Sequence, residues 1–446
     1  MHGEATTTLV HPLAFGMMVV AALFVVAVRR NLVLLPIIGL ICFIPIAQRV
    51  LIFGLDFTML RLLIMVALTR IALRGELGEI SWSKLDSLVL IWTISGTVIF
   101  TIQHGPQAIV NRLGAALDVW GMFMIARTTI RSQAELVPLI KMTAVLSLPV
   151  LAGFTYERLT QHNPFSIFGG VPEITVSREG RLRCQGAFHH PIHAGVFWAG
   201  LLPLYFCLWK ISTKVWKKWG VASIGFSLAI IFLCASSTPV MGVGASILGL
   251  LLYYFRFQLK LIMLSTFAVL TVLHIVMKKP VWHLIARIDA TGGSTGYHRF
   301  RLIDGAVNHF GEWWLIGLKS TAHWGEGLWD ITNHYILQGI HGGFLTLVLF
   351  VLVIVEAMRI SFRLSTNPRL SSETRITAWA VWSCIFVHLL CFLAVSYFEQ
   401  INSLWWMTLG LAAGMQNNGW LKMGNDDIAT HSIVAPVNRF RPNYLT

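Results

Sequence analysis

Charge is what this chain has least of. Asp, Glu, Lys and Arg make up 12% of its 446 residues, where an ordinary soluble protein carries about 25%. That deficit over this length excludes a typical cytosolic enzyme. Cysteine is equally unhelpful to a secreted scaffold. Cys42, Cys207, Cys234, Cys384 and Cys391 fall inside apolar segments and Cys184 stands alone in a polar loop, so no extramembrane pair exists. With no C-x-x-C and no Cys/His zinc spacing, neither a disulfide framework nor a zinc site is expected. D-x-D is absent, which removes the usual ligand pair of a metal-dependent nucleotide-sugar transferase, and so are G-x-x-x-x-G-K-[ST] and H-E-x-x-H. The 291–295 stretch, Thr-Gly-Gly-Ser-Thr, reads as a flexible loop and not as a phosphate cradle. No internal repeat, low-complexity tract or Pro-rich linker is visible. The first ten residues lack a basic n-region and no small-residue cleavage site follows, so the first apolar stretch is expected to stay in the protein.

What the chain has is hydrophobic length. Hydrophobic residues reach 56% and the mean hydropathy is +0.69. Apolar runs near 10–28, 32–48, 51–69, 87–103, 110–127, 136–154, 190–209, 219–236, 239–255, 260–277, 334–357, 377–398 and 402–417 approach the roughly 20 residues that cross a hydrocarbon core. The expectation is an all-α polytopic membrane protein with about twelve spans, between 11 and 13. Two runs are marginal: 51–69 carries Asp56 and Arg61, and 110–126 carries Arg112 and Asp118. The organisation reads as N-terminal spans 1–153, a first outer loop 154–190, central spans 191–277, a large outer loop 278–333, C-terminal spans 334–417 and a polar cytoplasmic tail 418–446.

The net charge of +14 sits in short runs between apolar stretches, which fits membrane flanks and excludes a nucleic-acid-binding domain. Arg29 and Arg30, Arg70 with Arg74 and Lys84, Arg127 with Arg131, the lysines 210, 214, 217 and 218, Arg256 with Lys260, and Arg359, Arg363, Arg369 and Arg375 all fall on one side of this parsing. That side is expected to be the cytoplasm. The two long loops lie opposite, and they are rich in His and Arg: nine of the sixteen histidines fall in or beside them. Their arginines (Arg158, Arg178, Arg181, Arg183, Arg287, Arg299 and Arg301) run against the positive-inside tendency and call for another reason. The guanidinium fork suits two phosphate oxygens.

Three constellations carry the chemistry. In 178–195, Arg183 precedes Gly186, Phe188, His189, His190, Pro191, His193 and Gly195; Pro191 fits a first helical turn, whose open N–H groups with Arg183 make an anion site. Headgroup anchoring is the plainer alternative, and zinc on His190 and His193 lacks a third ligand nearby. In 294–314, Ser294 or Thr295 caps a helix whose apolar face follows Arg299, Ile303, Ala306 and Phe310, with Trp313 and Trp314 in the interfacial belt; an ordinary amphipathic surface helix competes with this. In 323–335, His323, Asp330, Asn333 and His334 enter the next span, and His334 is the expected general base with Asp330 or Glu312 as orienter or substitute. A histidine that merely hydrogen-bonds at a helix start is the alternative.

These residues resemble the O-antigen ligase and polymerase superfamily of bacterial envelope glycosyltransferases. Arg183, Gly186, Phe188, Pro191 and Gly195 meet an R-x-x-G-x-F-x-x-P-x-x-x-G pattern; Gly296 through Arg299, Asp304, His309, Glu312, Trp313, Trp314 and Gly317 look like the arginine-bearing long loop of its exopolysaccharide-polymerase-like branch. Asp330, Asn333, His334 and Tyr335, then Gly342 and Gly343, are similar to its His/Asn motif and glycine pair. The order here is Asn333-His334, and where many relatives have Ser-Arg after the middle helix this chain has Ser236-Ser237-Thr238-Pro239. The resemblance implies a GT-C-like fold and a transferase of the bacterial inner membrane, without metal or other cofactor. Its donor would be an undecaprenyl-diphosphate-linked oligosaccharide on the periplasmic face, and its acceptor a glycan or lipid A-core. Other partners would be the bilayer and a chain-length regulator or other envelope-polysaccharide proteins, with no nucleic acid. Arg183, Arg299 and Arg301 would meet the diphosphate; His334, Asp330 and Glu312 would serve the acceptor; His190, His193, His298, His309, His323 and Asn333 are further substrate contacts. Polymerase is favoured over ligase. A lipid-linked glycan flippase competes from another class, resting on Asp56, Arg61, Asp118 and Glu356 inside apolar runs.

Overall fold

The computed structural model describes residues 9–52, 55–78, 80–287 and 296–421. The expected Ser294/Thr295 cap, the 291–295 loop and almost all of the tail lie outside them. The chain is helical nearly throughout: α1 (Pro12–Ala27), α2 (Leu34–Phe43), α3 (Met59–Leu73), α4 (Lys84–His104), α5 (Ala108–Thr129), α6 (Gln133–Thr160), α7 (Pro191–Ile211), α8 (Lys214–Leu233), α9 (Ser237–Leu251), α10 (Leu259–Val276), α11 (Gly296–Asn308), α12 (Phe310–Trp313), α13 (His334–Thr366), α14 (Ser372–Cys391) and α15 (Glu399–Gly414). Eight of these, α4 to α8, α10, α13 and α14, are long and apolar enough to cross a membrane; α1, α2 and α9 are shorter apolar helices. This is an all-α polytopic membrane protein.

Local chemistry sets the boundaries. A capping box of Ser83 and Asp86 starts α4, Ser132 caps α6, His190 caps α7 with Pro191 in its first turn, and Asn333 caps α13. The run at 51–69, marginal in the sequence, is not a single helix. Arg49–Ile52 (β1) and Leu55–Thr58 (β2) pair as an antiparallel hairpin, Arg49 opposite Thr58, and α3 follows with Thr58 as its cap. The β-branched and aromatic residues of this stretch favour the pleated form. The polar positions that made the run marginal find partners there, Arg49 with Asp56 at 3.6 Å and Arg61 with Asp118 at 2.7 Å.

α7 is the hub, packed on α8, α9 and α14, while α15 lies against α5 and α13 against α4. Trp198, Phe197 and Tyr205 of α7 and Trp405 and Trp406 of α15 fill the core. α10 stands at the other extreme, its Leu261, Leu264, Phe267 and Val272 exposed. A bare apolar stripe of that length belongs against lipid.

Of the flanking basic residues, Arg30 pairs with Glu135, Arg74 reaches the Val26 carbonyl and Arg127 reaches the Ser81 carbonyl. Several are buried structural cations, though, and not loop charges. Arg127 and Asp86 are each 1% exposed and 2.6 Å apart, and Arg70 holds Glu76 at 2.9 Å.

α13 is broken at Gly343, whose φ of +70° and ψ of 179° lie outside the helical region and suit a residue without Cβ. The break is satisfied from the large loop: Phe344 N–H donates to the Trp314 carbonyl at 2.7 Å, and the Ile340 carbonyl accepts from Leu318 N–H at 2.8 Å. Gln103 of α4 adds a bond to the Ile316 carbonyl at 3.2 Å. The backbone groups a broken helix frees are thereby paired within protein, and the large loop is fixed to the bundle.

Candidate functional site

The 154–190 loop is built around a carboxylate that nothing in the sequence singles out. Glu157, fully buried in the last turn of α6, accepts the N–H groups of Gln185 at 3.1 Å and Gly186 at 2.9 Å. Asn163 donates to the Gly186 carbonyl at 2.8 Å. Gly186 itself has φ +58°, and a Cβ there would meet the Phe154 ring at 2.5 Å, so the motif glycine is required by its geometry. Phe188 is buried, and Gly195 lets α7 approach α9 so closely that a Cβ would fall 2.5 Å from Pro239. These motif residues are packing devices. Their combined effect is to carry Arg183, the first residue of the pattern, to the α8–α9 turn, where Cys184 N–H donates to the Leu233 carbonyl at 3.0 Å.

Arg183 is 7% exposed, its buried Nε–H has no hydrogen-bond partner, and its guanidinium has no carboxylate within ion-pair distance among the described residues. Burial and then the neighbouring Arg178 push its guanidinium below its ordinary value. Arg178 and Arg181, on the hairpin Ser177–Arg178 (β3) and Arg181–Leu182 (β4), are exposed.

The second arginine arrives from the large loop. Arg299 of α11 donates Nη2 to the Thr238 hydroxyl at 3.2 Å, its Nε–H is buried without a partner among the described residues, and burial lowers it too. Thr238 lies in the first turn of α9, whose cap residue Ser236 makes no side-chain capping bond. Two desolvated, carboxylate-free arginines and an uncapped helix start therefore meet at one turn. That combination favours an anion.

Arg301 does not join them. It faces the opposite way, against the turn at Gly325, where a Cβ would sit 2.6 Å from its Nη2. The apolar side of α11 is Leu302, Gly305 and Ala306, whereas Phe310 is exposed and belongs to α12. This corrects the expected face, because the helix ends at Asn308.

The three acceptor-side residues are not assembled either. Asp330 is exposed on the loop, where its backbone carbonyl meets His298 Nε2 at 3.2 Å. Glu312 is exposed, takes His323 Nε2 at 2.7 Å and Trp324 Nε1 at 3.2 Å, and is lowered by those bonds. His309 stacks on Trp324, 5.3 Å between centroids. His334 is buried at the start of α13. Its Nδ1 accepts from Tyr397 N–H at 3.0 Å, its Nε2 is 3.1 Å from the Gln338 amide, and Phe392 stacks on the ring. With Nδ1 occupied as acceptor, Nε2 carries the proton of the neutral ring. Asn333 is the helix cap, accepting from Ile336 N–H at 3.1 Å.

His193 presses edge-on to Phe398 at 4.2 Å and reaches the Ser396 carbonyl at 3.0 Å. His190 accepts Ile192 N–H at 3.2 Å and is pushed down to about 4 by burial and Arg183. Among the described residues no cluster of three His, Cys, Asp or Glu is arranged to hold a metal ion.

His334 opens on a cavity of about 360 Å³ between α4, α5, α13 and α15. Its wall includes Arg61, Asp118, Trp92, His341, Gln338 and Glu399. Glu399 begins α15 with φ +57°, a left-handed conformation uncommon for a side chain of this kind and one that clusters at functional sites; it stands 3.9 Å from His189. In the sequence Arg61 and Asp118 mark two apolar runs as marginal and support the transporter alternative. The available signal was charge inside apolar runs; nothing local marked Glu157 or Glu399. The other ionisable residues of that transporter reading are engaged as well, Asp56 with Arg49 and Glu356 with Arg359. In comparisons with known proteins, the chain matches no family model and no curated sequence.

Proposed function

We propose that the chain is a glycosyltransferase of the bacterial inner membrane, GT-C-like with about twelve spans, whose active site faces the periplasm and takes glycan from an undecaprenyl-diphosphate donor without a metal. The observation that supports it most is the pair of buried Arg183 and half-buried Arg299, each with a buried Nε–H that has no partner and without a carboxylate partner among the described residues, at the uncapped start of α9. An acceptor hydroxyl attacks the anomeric carbon, the bond from that carbon to the phosphate oxygen breaks, and the lipid diphosphate leaves with the electron pair. Positive groups fixed in a dry site stabilise the charge as it grows. Glu399 is proposed to take the acceptor's proton, because both ring nitrogens of His334 are already engaged, Nδ1 by the Tyr397 N–H and Nε2 by the Gln338 amide. A polymerase, which adds the glycan to another carrier-linked repeat, is the favoured form; a ligase would use the same site with lipid A-core as acceptor.

The test is purified protein in nanodiscs with undecaprenyl-diphosphate-linked repeat as sole substrate and EDTA present. Longer carrier-linked glycans support the polymerase. Transfer only after lipid A-core is added makes it a ligase. No product with either acceptor, together with movement of the lipid across the bilayer, replaces the enzyme with a transporter.

A further inference from the structure

The cavity between α4, α5, α13 and α15 holds a cation that the transfer chemistry does not use. Arg112, in the first turns of α5, lines its wall and sits over the Phe100 ring, 3.3 Å from the centroid. The contact fixes the guanidinium without neutralising it. No carboxylate lies within ion-pair distance of Arg112 among the described residues, whereas the fork of Arg61 in the same wall is filled by Asp118, at 3.1 Å and 2.7 Å. Glu399, the cavity's other carboxylate, stands toward His189.

Two further groups in that wall call for a ligand. Trp92 and Trp406 pack 4.7 Å apart, and both indole N–H groups are buried without a hydrogen-bond partner among the described residues; Trp406 is only 1% exposed. Indole rings beside the amides of Gln338 and Asn402 match a pyranose, which offers an apolar C–H face and a rim of hydroxyls. We propose that this cavity binds the glycan through a sugar that carries a carboxylate, with Arg112 as its counter-ion. The proposal rests on the glycan-transfer reading for the kind of ligand and adds to it that the sugar is acidic.

Binding is measured with the full chain in phosphatidylcholine nanodiscs, using trigalacturonate and its uncharged counterpart galactotriose as probes. The wild type binds the acid about tenfold or more tightly, the range of one charge-assisted contact. Arg112→Gln abolishes the preference, Arg112→Lys retains part of it, and Arg183→Ala with Arg299→Ala leaves it intact. Equal affinity for the two sugars, no binding of either, or a preference that survives Arg112→Gln overturns the proposal; the wild-type comparison decides alone if Arg112→Gln does not fold. In phosphatidylglycerol nanodiscs the preference persists, and its loss there assigns the cation to a lipid phosphate and overturns the sugar acid. An acid preference without any glycan transfer would sink the enzyme reading and leave this site standing; transfer without the preference would do the reverse.

Discussion

Arg299 and Thr238, 61 residues apart in sequence, meet at 3.2 Å where α11 of the large loop touches the first turn of α9. The hydroxyl orients a guanidinium whose Nε–H has no partner among the described residues. Arg299→Ala is expected to lower glycan transfer about 100- to 1,000-fold at unchanged protein level, the usual effect of removing one preorganised donor. Thr238→Val, which keeps shape and loses the hydroxyl, should cost about tenfold, in keeping with one lost hydrogen bond. Single-turnover transfer by the purified variants measures both.

Glu157 acts on the same site from behind. Its carboxylate holds two backbone N–H groups next to Arg183, so Glu157→Ala leaves them buried and unmade, at a cost of about 1–3 kcal/mol. Thermal unfolding in detergent should show that loss, with Glu157→Gln less affected because one oxygen remains to accept. Transfer is expected to fall in the same order.

His190 supplies a pH dependence outside the membrane segments. Burial and Arg183 hold it down at about 4, whereas an unfolded histidine titrates near 6.5. Between those values the unfolded state binds more protons, so stability drops as pH falls through this window. His190→Asn keeps a capping side chain and removes the titration. The melting temperatures of wild type and variant should diverge from pH 6.5 to pH 4, the variant losing less; parallel curves would show that His190 does not titrate there.

Arg127 and Asp86 are both 1% exposed, and Arg127 also bonds the Ala413 and Ser81 carbonyls. Removing either partner strands a buried charge, so Arg127→Ala and Asp86→Ala should each destabilise the protein by about 3–5 kcal/mol. Chemical denaturation of the purified variants measures it.

Helix-forming apolar runs and the two loop limits were legible: α7 begins at Pro191 and α13 at His334, as the apolar runs and their polar flanks indicate. The hairpin at Arg49–Thr58 was not, because the run reads as one apolar stretch and its Arg49–Asp56 pairing exists only once the two strands lie side by side. The same limit applies to the site. Arg183 and Arg299 stood out as arginines on the wrong side of a positive-inside pattern, but Arg301, two residues on, leaves the helix in another direction. Asp330, Glu312 and His334 are neighbours in sequence and not in space. Glu399 and Arg112 lie on α15 and α5, and only the packing of the bundle brings both to one cavity with Trp92, Gln338 and His341.

The most direct test of the account is the affinity of purified protein for undecaprenyl diphosphate without glycan, compared between wild type and the Arg183→Ala, Arg299→Ala double variant. Two charge-assisted contacts predict a loss of about 100-fold or more, with a native melting temperature. Affinity unchanged in a folded double variant would contradict the claim that these two arginines hold the diphosphate.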